Sequence, residues 1–214
     1  MSYLISNYSI DDISITKPKK TGDFLVGRIY HLKNEPVIIQ FPKMKLIKEI
    51  SEDDSFVELE FVNNKKSSYN DSAFNFLLTL DSKIVEYSQN NTTEWFGKNI
   101  PADVLKKMYN NFIKAPKDTS SNCTVQFKVK IKELVLTKTR NKEALLSEFK
   151  KDSLVECLGR MKYLLFTKDT YHVIWELMGM KLDSRIKRVQ KYGFVEDSTE
   201  SDSNEEIIQD YSFF

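Results

Sequence analysis

Short runs of β-branched and aromatic residues, separated by turn residues, dominate the first part of the chain. The stretch GDFLVGRIYHLKNEPVIIQF contains two such runs with a turn near Lys33-Asn34-Glu35-Pro36, and PKMKLIKEI and SFVELEF follow it. In SFVELEF three apolar residues alternate with two glutamates, a period of two that is typical of a strand with one solvated face. The pattern therefore predicts several short antiparallel strands.

The middle of the chain changes to helical spacing. LTLDSKIVEYSQNN carries Leu80, Ile84 and Tyr87 at helical intervals, and PADVLKKMYNNFIK begins with a proline suited to a first helical turn. We predict two helices that flank TTEWFGKNI and form an insertion around residues 80–115. The stretch SAFNFLLTL fits either a further strand or the start of a helix.

Alternation returns in CTVQFKVKIKEL, and GRMKYLLFTKDTYHVIWELMGMKL predicts a hairpin that turns at Lys168-Asp169. Strands and helices do not alternate regularly, which argues against a parallel α/β sheet. We predict a mostly β fold with inserted helices, an OB-fold-like antiparallel barrel over residues 1–195.

Composition narrows the cellular setting. The 214 residues contain only two cysteines, Cys123 and Cys157, and no apolar run long enough for a membrane helix. The first residues lack the charged and apolar regions of a secretory signal. We expect a reducing intracellular compartment.

Charge is distributed unevenly along the chain. Residues 196–214 hold seven acids and no lysine or arginine, which leaves the preceding body with 32 basic and 24 acidic residues, a net charge of +8. The segment EDSTESDSNEE is too polar to form a core, so we predict a disordered acidic tail over residues 196–214.

The end of that tail is aromatic. An acidic terminus that only improves solubility has no need of the apolar residues in IIQDYSFF. Both interpretations stay open, and the second is a docking peptide for a partner protein. Its candidate residues are Glu205, Glu206, Asp210, Tyr211, Phe213 and Phe214.

Basic side chains predict a nucleic-acid surface. In CTVQFKVKIKEL, Lys128, Lys130 and Lys132 would stand on one face roughly 7 Å apart, close to the phosphate repeat of an extended single strand. An ordinary solvated strand face is the alternative. Further clusters lie near aromatic residues on which bases could stack. The candidate DNA-binding residues are Lys43, Lys45, Lys128, Lys130, Lys132, Arg160, Lys162, Trp175, Arg185, Lys187 and Arg188.

The string Trp95-Phe96-Gly97-Lys98 has two interpretations. It is either a stacking platform with a phosphate-binding lysine or an aromatic plug that locks helices to the barrel, and we favour the plug. Catalytic motifs are absent from the sequence: there is no phosphate-binding loop, nucleophile elbow or metalloprotease motif, and the two histidines are far apart. We expect a binding protein without cofactor or metal, and not an enzyme.

A basic body, an acidic tail and a terminal phenylalanine together resemble the single-stranded DNA-binding proteins of short-tailed phages and of nucleocytoplasmic large DNA viruses. In the body the resemblance rests on the EWFGK string and on the hairpin GRMKYLLFTKDTYHVIWELMGMKL, and it covers roughly Asp23 to Leu182. This tail differs in its lower density of acids and in its two final phenylalanines.

The resemblance implies a viral replication, recombination and repair protein that coats single-stranded DNA without sequence preference, in the cytoplasmic viral factory or the nucleus of the host. It also implies that the tail competes with DNA, that it recruits a polymerase, primase or helicase, and that the protein is a homodimer. The competing hypotheses are a structural protein that packs duplex DNA and a protein–protein adaptor without a nucleic-acid role.

Overall fold

The structure, a computed structural model, describes residues 3–4, 9–31, 34–62, 68–116, 122–138 and 141–183. Contacts group Met1–Ser184 into one compact unit, and the second unit, Arg185–Phe214, lies outside the described residues. The strands are β1 (Tyr3–Leu4), β2 (Ile13–Ile15), β3 (Lys19–Thr21), β4 (Phe24–His31), β5 (Val37–Leu46), β6 (Phe56–Phe61), β7 (Ile113–Lys114), β8 (Thr124–Lys128), β9 (Val135–Lys138), β10 (Lys142–Glu143), β11 (Leu154–Phe166) and β12 (Tyr171–Leu182). The helices are α1 (Ser68–Asn90), α2 (Thr92–Phe96) and α3 (Ala102–Met108).

Five of these strands close into a barrel. Strand β5 pairs antiparallel with β6, β6 with β8, and β11 with both β12 and β5. The ring closes where β8 runs parallel to β12 at a single position, Lys128 opposite Glu176. If β5, β6, β8, β11 and β12 are numbered 1 to 5 in chain order, their order around the barrel is therefore 1-2-3-5-4-1. This is the partly open five-stranded arrangement of an OB-fold, as the sequence predicts.

Aromatic rings fill the barrel. Phe41, Phe127 and Trp175 are all fully or almost fully buried, and Phe41 meets both other rings edge to face. A Cβ at Gly159 would lie 2.7 Å from a ring carbon of Phe127 and 2.7 Å from one of Phe41. Glycine at this position of β11 therefore lets the two rings meet inside the barrel.

The single contact between β8 and β12 leaves a gap in the barrel wall, which residues 109–114 cover. Tyr109 forms a bridge to Tyr171 at the start of β12, and the Asn110 amide donates to the Tyr171 carbonyl. Strand β7 then pairs with β8. Between these two anchors, the Phe112 ring stacks on Trp175 at 4.9 Å and so plugs the gap from within.

The helical insertion joins β6 to β8. It begins earlier than the predicted 80–115, because α1 already starts at Ser68, and its last helix ends at Met108. SAFNFLLTL is thus helical, and the buried Ala73, Leu77, Leu80 and Ile84 form the apolar stripe of α1. TTEWF forms α2 and is not a linker between two helices. Among the described helices none is long and apolar enough to span a lipid bilayer.

A buried carboxylate ties this insertion to the barrel. Asp81 of α1 is 6% exposed and accepts a hydrogen bond of 2.6 Å from the Tyr109 hydroxyl and one of 3.2 Å from the Phe112 amide. Burial raises the pKa of Asp81 to about 6, although both hydrogen bonds favour its charged form. The orientation of the Phe112 plug therefore depends on a side chain of α1.

The other predicted strands can be checked directly. The two strands of GDFLVGRIYHLKNEPVIIQF, the strand SFVELEF with its buried Val57, Leu59 and Phe61, and the β11–β12 hairpin are confirmed. The prediction for CTVQFKVKIKEL is wrong in its second half. Strand β8 ends at Lys128, and Ile131–Glu133 form a turn of 3-10 helix.

Candidate nucleic-acid interface

Strand β4 continues the barrel sheet beyond Val37, the first residue of β5. It pairs with the last part of β11, Arg28 opposite Tyr163 and Val26 opposite Leu165, and β2 and β3 pair in turn with β4. Side chains alternate along β4, so that Gly27 and Ile29 are buried whereas Arg28 is exposed. The solvated face of β4 therefore lies beside the solvated face of β11.

These two faces form a groove of about 690 Å³, which we call the β4–β11 groove. The residues that line it are Thr16, Thr21, Phe24, Val26, Arg28, Ile29, Tyr30, Asn34, Glu35, Pro36, Lys162, Tyr163 and Leu165. They include three aromatic rings, two cationic side chains and one carboxylate. Phe24 is 50% exposed, whereas phenylalanine side chains that pack in a core are buried.

Lys162 links the groove to a second group of charges. Its Nζ lies 2.8 Å from Oε1 of Glu176, and the Arg160 guanidinium contacts the other oxygen of the same carboxylate. Lys128 is the cross-strand partner of Glu176, and Lys130 lies close enough to interact with the charges of Glu176 and Arg160. We call these five residues the Glu176 cluster.

The carboxylate at the centre of this cluster is well compensated. Glu176 is 4% exposed, and although burial opposes its ionisation, the hydrogen bonds from Lys162 and Arg160 hold its pKa below the usual range. A carboxylate buried next to two cations stays ionised and fixes both of them in place. Two cations thus contact one buried carboxylate, and Lys128 and Lys130 lie near it. Even with Glu133, which pairs with Lys130, the charges sum to a positive value.

The structure brings four of the predicted DNA-binding residues together, namely Lys128, Lys130, Arg160 and Lys162. The row of evenly spaced lysines is a wrong prediction, because Lys132 lies in the 3-10 turn after the end of β8. Lys130 itself pairs with Glu133 at 2.9 Å, and this hydrogen bond raises its pKa.

Lys43 and Lys45 lie elsewhere on the barrel. Lys43 pairs with Asp183 at 2.7 Å, and Lys45 pairs with Glu60 at 2.6 Å, which raises the pKa of Lys45. Lys45 lies opposite Leu154 at the start of β11, eight residues and so roughly 26 Å along the strand from Lys162. Both lysines are therefore paired with carboxylates of the protein itself and lie away from the groove.

Trp175 was predicted to contact DNA, and this prediction is wrong. The side chain is 2% exposed and packs among Phe41, Phe112 and Phe127 inside the barrel. On the same strand, the neighbouring Glu176 is the residue whose side chain points away from the barrel interior. The remaining predicted residues, which are Arg185, Lys187, Arg188 and the tail residues Glu205, Glu206, Asp210, Tyr211, Phe213 and Phe214, lie outside the described part of the chain.

The EWFGK string is an aromatic plug, as we favoured from the sequence. Trp95 is 6% exposed and meets Phe166 edge to face at 5.9 Å, while Phe96 contacts both Phe166 and Tyr171. Helix α2 ends at Gly97, whose φ of 70° is a left-handed conformation that glycine adopts without strain. The string therefore fixes the insertion to the hairpin.

The face that OB-folds commonly use for oligonucleotides carries acids in this chain. That face is formed by the second and third barrel strands, here β6 and β8. Glu58 on β6 accepts a hydrogen bond of 2.9 Å from Thr124, and Glu60 is paired with Lys45. The loop after β5 adds the acids of SEDD. Among the described residues, the cationic and aromatic surface lies mainly on β4 and β11, and reaches β8 only at its end, with Lys128.

Sequence analysis missed Phe24, Arg28 and Tyr30 as site residues. All three occupy alternate positions of FLVGRIY, so the period of two places them on one face of β4. That pattern was available from the sequence, but the position of β4 beside the end of β11 was not. No group of three or more potential metal ligands occurs among the described residues.

Comparison with known proteins identifies a family and a set of distant structures. The model of a family of unknown function, DUF5871, matches residues 46–196. The chain belongs to this family. The matched range contains β6, the helical insertion and the β11–β12 hairpin but begins after β4. No curated protein matches the sequence significantly.

Several solved structures resemble the chain at low identity. A C-terminally truncated single-stranded DNA-binding protein from bacteriophage Enc34 is 11% identical with a TM-score of 0.45, and 79% of this chain covers 93% of that one. The Enc34 protein in complex with single-stranded DNA is 12% identical with a TM-score of 0.42, with coverages of 79% and 94%. The protein gp2.5 of bacteriophage T7, a single-stranded DNA-binding protein, is 11% identical with a TM-score of 0.47, with coverages of 68% and 91%. At these TM-scores we draw no functional argument from the likeness.

Proposed function

We propose that this chain binds single-stranded DNA without sequence preference along the β4–β11 groove and the Glu176 cluster. The observation that carries the proposal is the combination of aromatic rings with cations in one groove: the exposed Phe24 and the half-buried Tyr30 and Tyr163 lie beside Arg28 and Lys162. Rings of this kind stack on bases of any sequence, and cations neutralise the phosphates between them.

The dimensions of the groove support a single strand. Phe24 and Arg28 are four residues apart on β4, which corresponds to roughly 13 Å and so to about two phosphate repeats of an extended strand. The faces of stacked bases in a duplex are not accessible to side chains in such a groove. A protein that packs duplex DNA needs phosphate contacts but no exposed rings.

The test of this proposal uses fluorescence anisotropy at about 150 mM salt. It measures binding of the full chain to a labelled single-stranded oligonucleotide and to the corresponding duplex. We expect the single strand to bind at least tenfold more tightly than the duplex. Equal or tighter binding of the duplex would favour a DNA-packing protein, and no binding of either would favour an adaptor.

The role in replication, recombination and repair is a further part of the proposal, and it concerns the tail. Residues 196–214 carry seven acids that compete electrostatically with DNA for the basic body, and the terminal Phe213 and Phe214 recruit other replication proteins. Binding of DNA releases the tail for a polymerase, primase or helicase. We also propose that the protein acts as a homodimer inside the cell, and that it has no catalytic activity of its own.

A further inference from the structure

A second cavity, of about 490 Å³, lies outside the barrel where residues 109–114 cover the gap between β8 and β12. Its floor is apolar, since Phe112 is buried there against Trp175. Five of its lining residues have side chains that can form hydrogen bonds, and we call the cavity the amide pocket after the amides among them: Asn110, Asn111, Lys114, Gln126 and His172. Covering the gap in the barrel wall with Phe112 does not by itself require such a polar surface.

The amide pocket begins where the β4–β11 groove ends. Leu165 lines the groove, and its cross-strand partner on β12 is His172, which lines the pocket. Adjacent strands are about 4.8 Å apart, so an extended strand that leaves the groove across β11 reaches the pocket within one nucleotide. The groove and the pocket therefore lie along one path.

Two hydrogen-bond donors stand next to each other in the pocket. The Lys114 ammonium donates to the side-chain oxygen of Gln126 at 3.2 Å. This bond turns the amide oxygen toward the ammonium and occupies one of its two lone pairs. The Nε2 group of Gln126 and the other N–H bonds of Lys114 are then two neighbouring sets of donors for a ligand.

This donor pair distinguishes purines. Guanine has two adjacent acceptors, N7 and O6, whereas adenine has N7 next to the N6 amino group, which is a donor. Guanine can therefore accept a hydrogen bond from Lys114 and another from Gln126. Adenine in the same position offers only N7 as an acceptor and so satisfies one of the two donors.

We propose that the amide pocket is a base-selective subsite that holds one guanine of a bound single strand through N7 and O6. This inference rests on the proposed binding of single-stranded DNA. It adds selectivity at one position to a surface that stacks the neighbouring bases without selection.

The experiment uses the full chain and short labelled oligonucleotides of thymidine in which a single dG or a single dA is moved through each position. We expect the dG oligonucleotide to bind about 5- to 20-fold more tightly than the dA oligonucleotide when the purine is near one end, and equally at the other positions. In Gln126→Met, which keeps the length of an exposed side chain, this ratio should fall to about one. The matched control Gln89→Met on α1 should keep the ratio of the wild type.

The outcomes separate this inference from the proposed function. Equal affinity for dG and dA at every position overturns the base-selective subsite, and so does a ratio that Gln126→Met leaves unchanged. If the all-thymidine oligonucleotide does not bind at all, the proposed function itself fails, and the inference fails with it.

Discussion

The ammonium group of Lys162 lies 2.8 Å from the carboxylate of Glu176, and the same lysine side chain lines the β4–β11 groove. A carboxylate that is almost fully buried thus fixes a cation at the edge of the proposed nucleic-acid surface. The contact joins the two parts of the proposed interface, the groove with its rings and the cluster with its charges.

Replacement of Glu176 by glutamine tests this connection. The change removes the charge that holds Lys162 and Arg160 together, so we expect the free energy of unfolding to fall by about 1–2 kcal/mol. It also adds one net positive charge beside the groove. Binding to single-stranded DNA should become several-fold tighter at low salt and decline more steeply as salt rises.

The control for this variant is Glu148→Gln, which removes a carboxylate paired with Lys138 on another part of the surface. We expect it to change the salt dependence much less. A Glu176→Gln protein with the affinity and salt dependence of the wild type would place the cluster outside the DNA-binding surface.

Asp81 gives the protein a predictable dependence of stability on pH. Its pKa of about 6 in the folded state lies above the value of 3.8 for a free carboxyl. Protonation therefore favours folding, and this contribution is fully present below pH 3.8 and is lost as the pH rises through 6. From pH 4.5 to 7.5 we expect Asp81 to reduce the free energy of unfolding by about 2 kcal/mol.

Urea unfolding of the wild type and of Asp81→Asn at both pH values measures this effect. The difference between the two proteins isolates Asp81 from His172, whose burial lowers its pKa and acts in the opposite direction. The exposed Asp152, changed to asparagine, serves as the control. If Asp81→Asn and the wild type respond equally to pH, the carboxyl is not held in the buried site that the structure shows.

Gly159 should be the glycine of the barrel that tolerates substitution least well. A Cβ there would lie 2.7 Å from both Phe41 and Phe127, so alanine forces two core rings to move. We expect Gly159→Ala to lower the free energy of unfolding by about 1–3 kcal/mol. The cost should be smaller in a Phe41→Leu background, and a double-mutant cycle of urea unfolding measures that difference. Strict additivity would contradict the ring contact.

The acidic tail gives a prediction that does not depend on its conformation. Conversion of the seven acids in residues 196–210 to amides changes the net charge of the chain from +1 to +8. We expect at least a tenfold gain in affinity for single-stranded DNA, because competition by the tail disappears. Phe213→Ala/Phe214→Ala, which removes no charge, should bind DNA as the wild type does. Unchanged affinity of the amide variant would mean that the tail does not compete with DNA.

Much of the fold follows from local patterns in the sequence. The alternation in SFVELEF and the long β11–β12 hairpin define barrel strands, and the stripe from Ala73 to Ile84 defines α1 once its full length is considered. The cations Lys128, Arg160 and Lys162 could be predicted as candidates because each belongs to a β-strand segment rich in basic residues.

What the sequence could not provide is the pairing of distant strands. Trp175 and Glu176 are neighbours in the same strand, and only the closure of the barrel shows that the tryptophan points inward and the glutamate outward. Arg28 becomes a site residue because β4 lies opposite Tyr163, more than a hundred residues away in the chain. Alternation shows which residues share a face, but not what that face meets.

The most direct test of the proposed function compares two exposed apolar side chains. Phe24 is 50% exposed in the β4–β11 groove, and Leu78 is 41% exposed on α1, which belongs neither to the groove lining nor to the Glu176 cluster. Anisotropy of a labelled single-stranded oligonucleotide at about 150 mM salt would be measured for the full chain carrying Phe24→Ala or Leu78→Ala. Since loss of one stacked base costs about 1–3 kcal/mol, we predict 5- to 150-fold weaker binding for Phe24→Ala and less than a twofold change for Leu78→Ala. Wild-type affinity in Phe24→Ala, or an equal loss in both variants, would contradict the assignment of the groove as the DNA-binding surface.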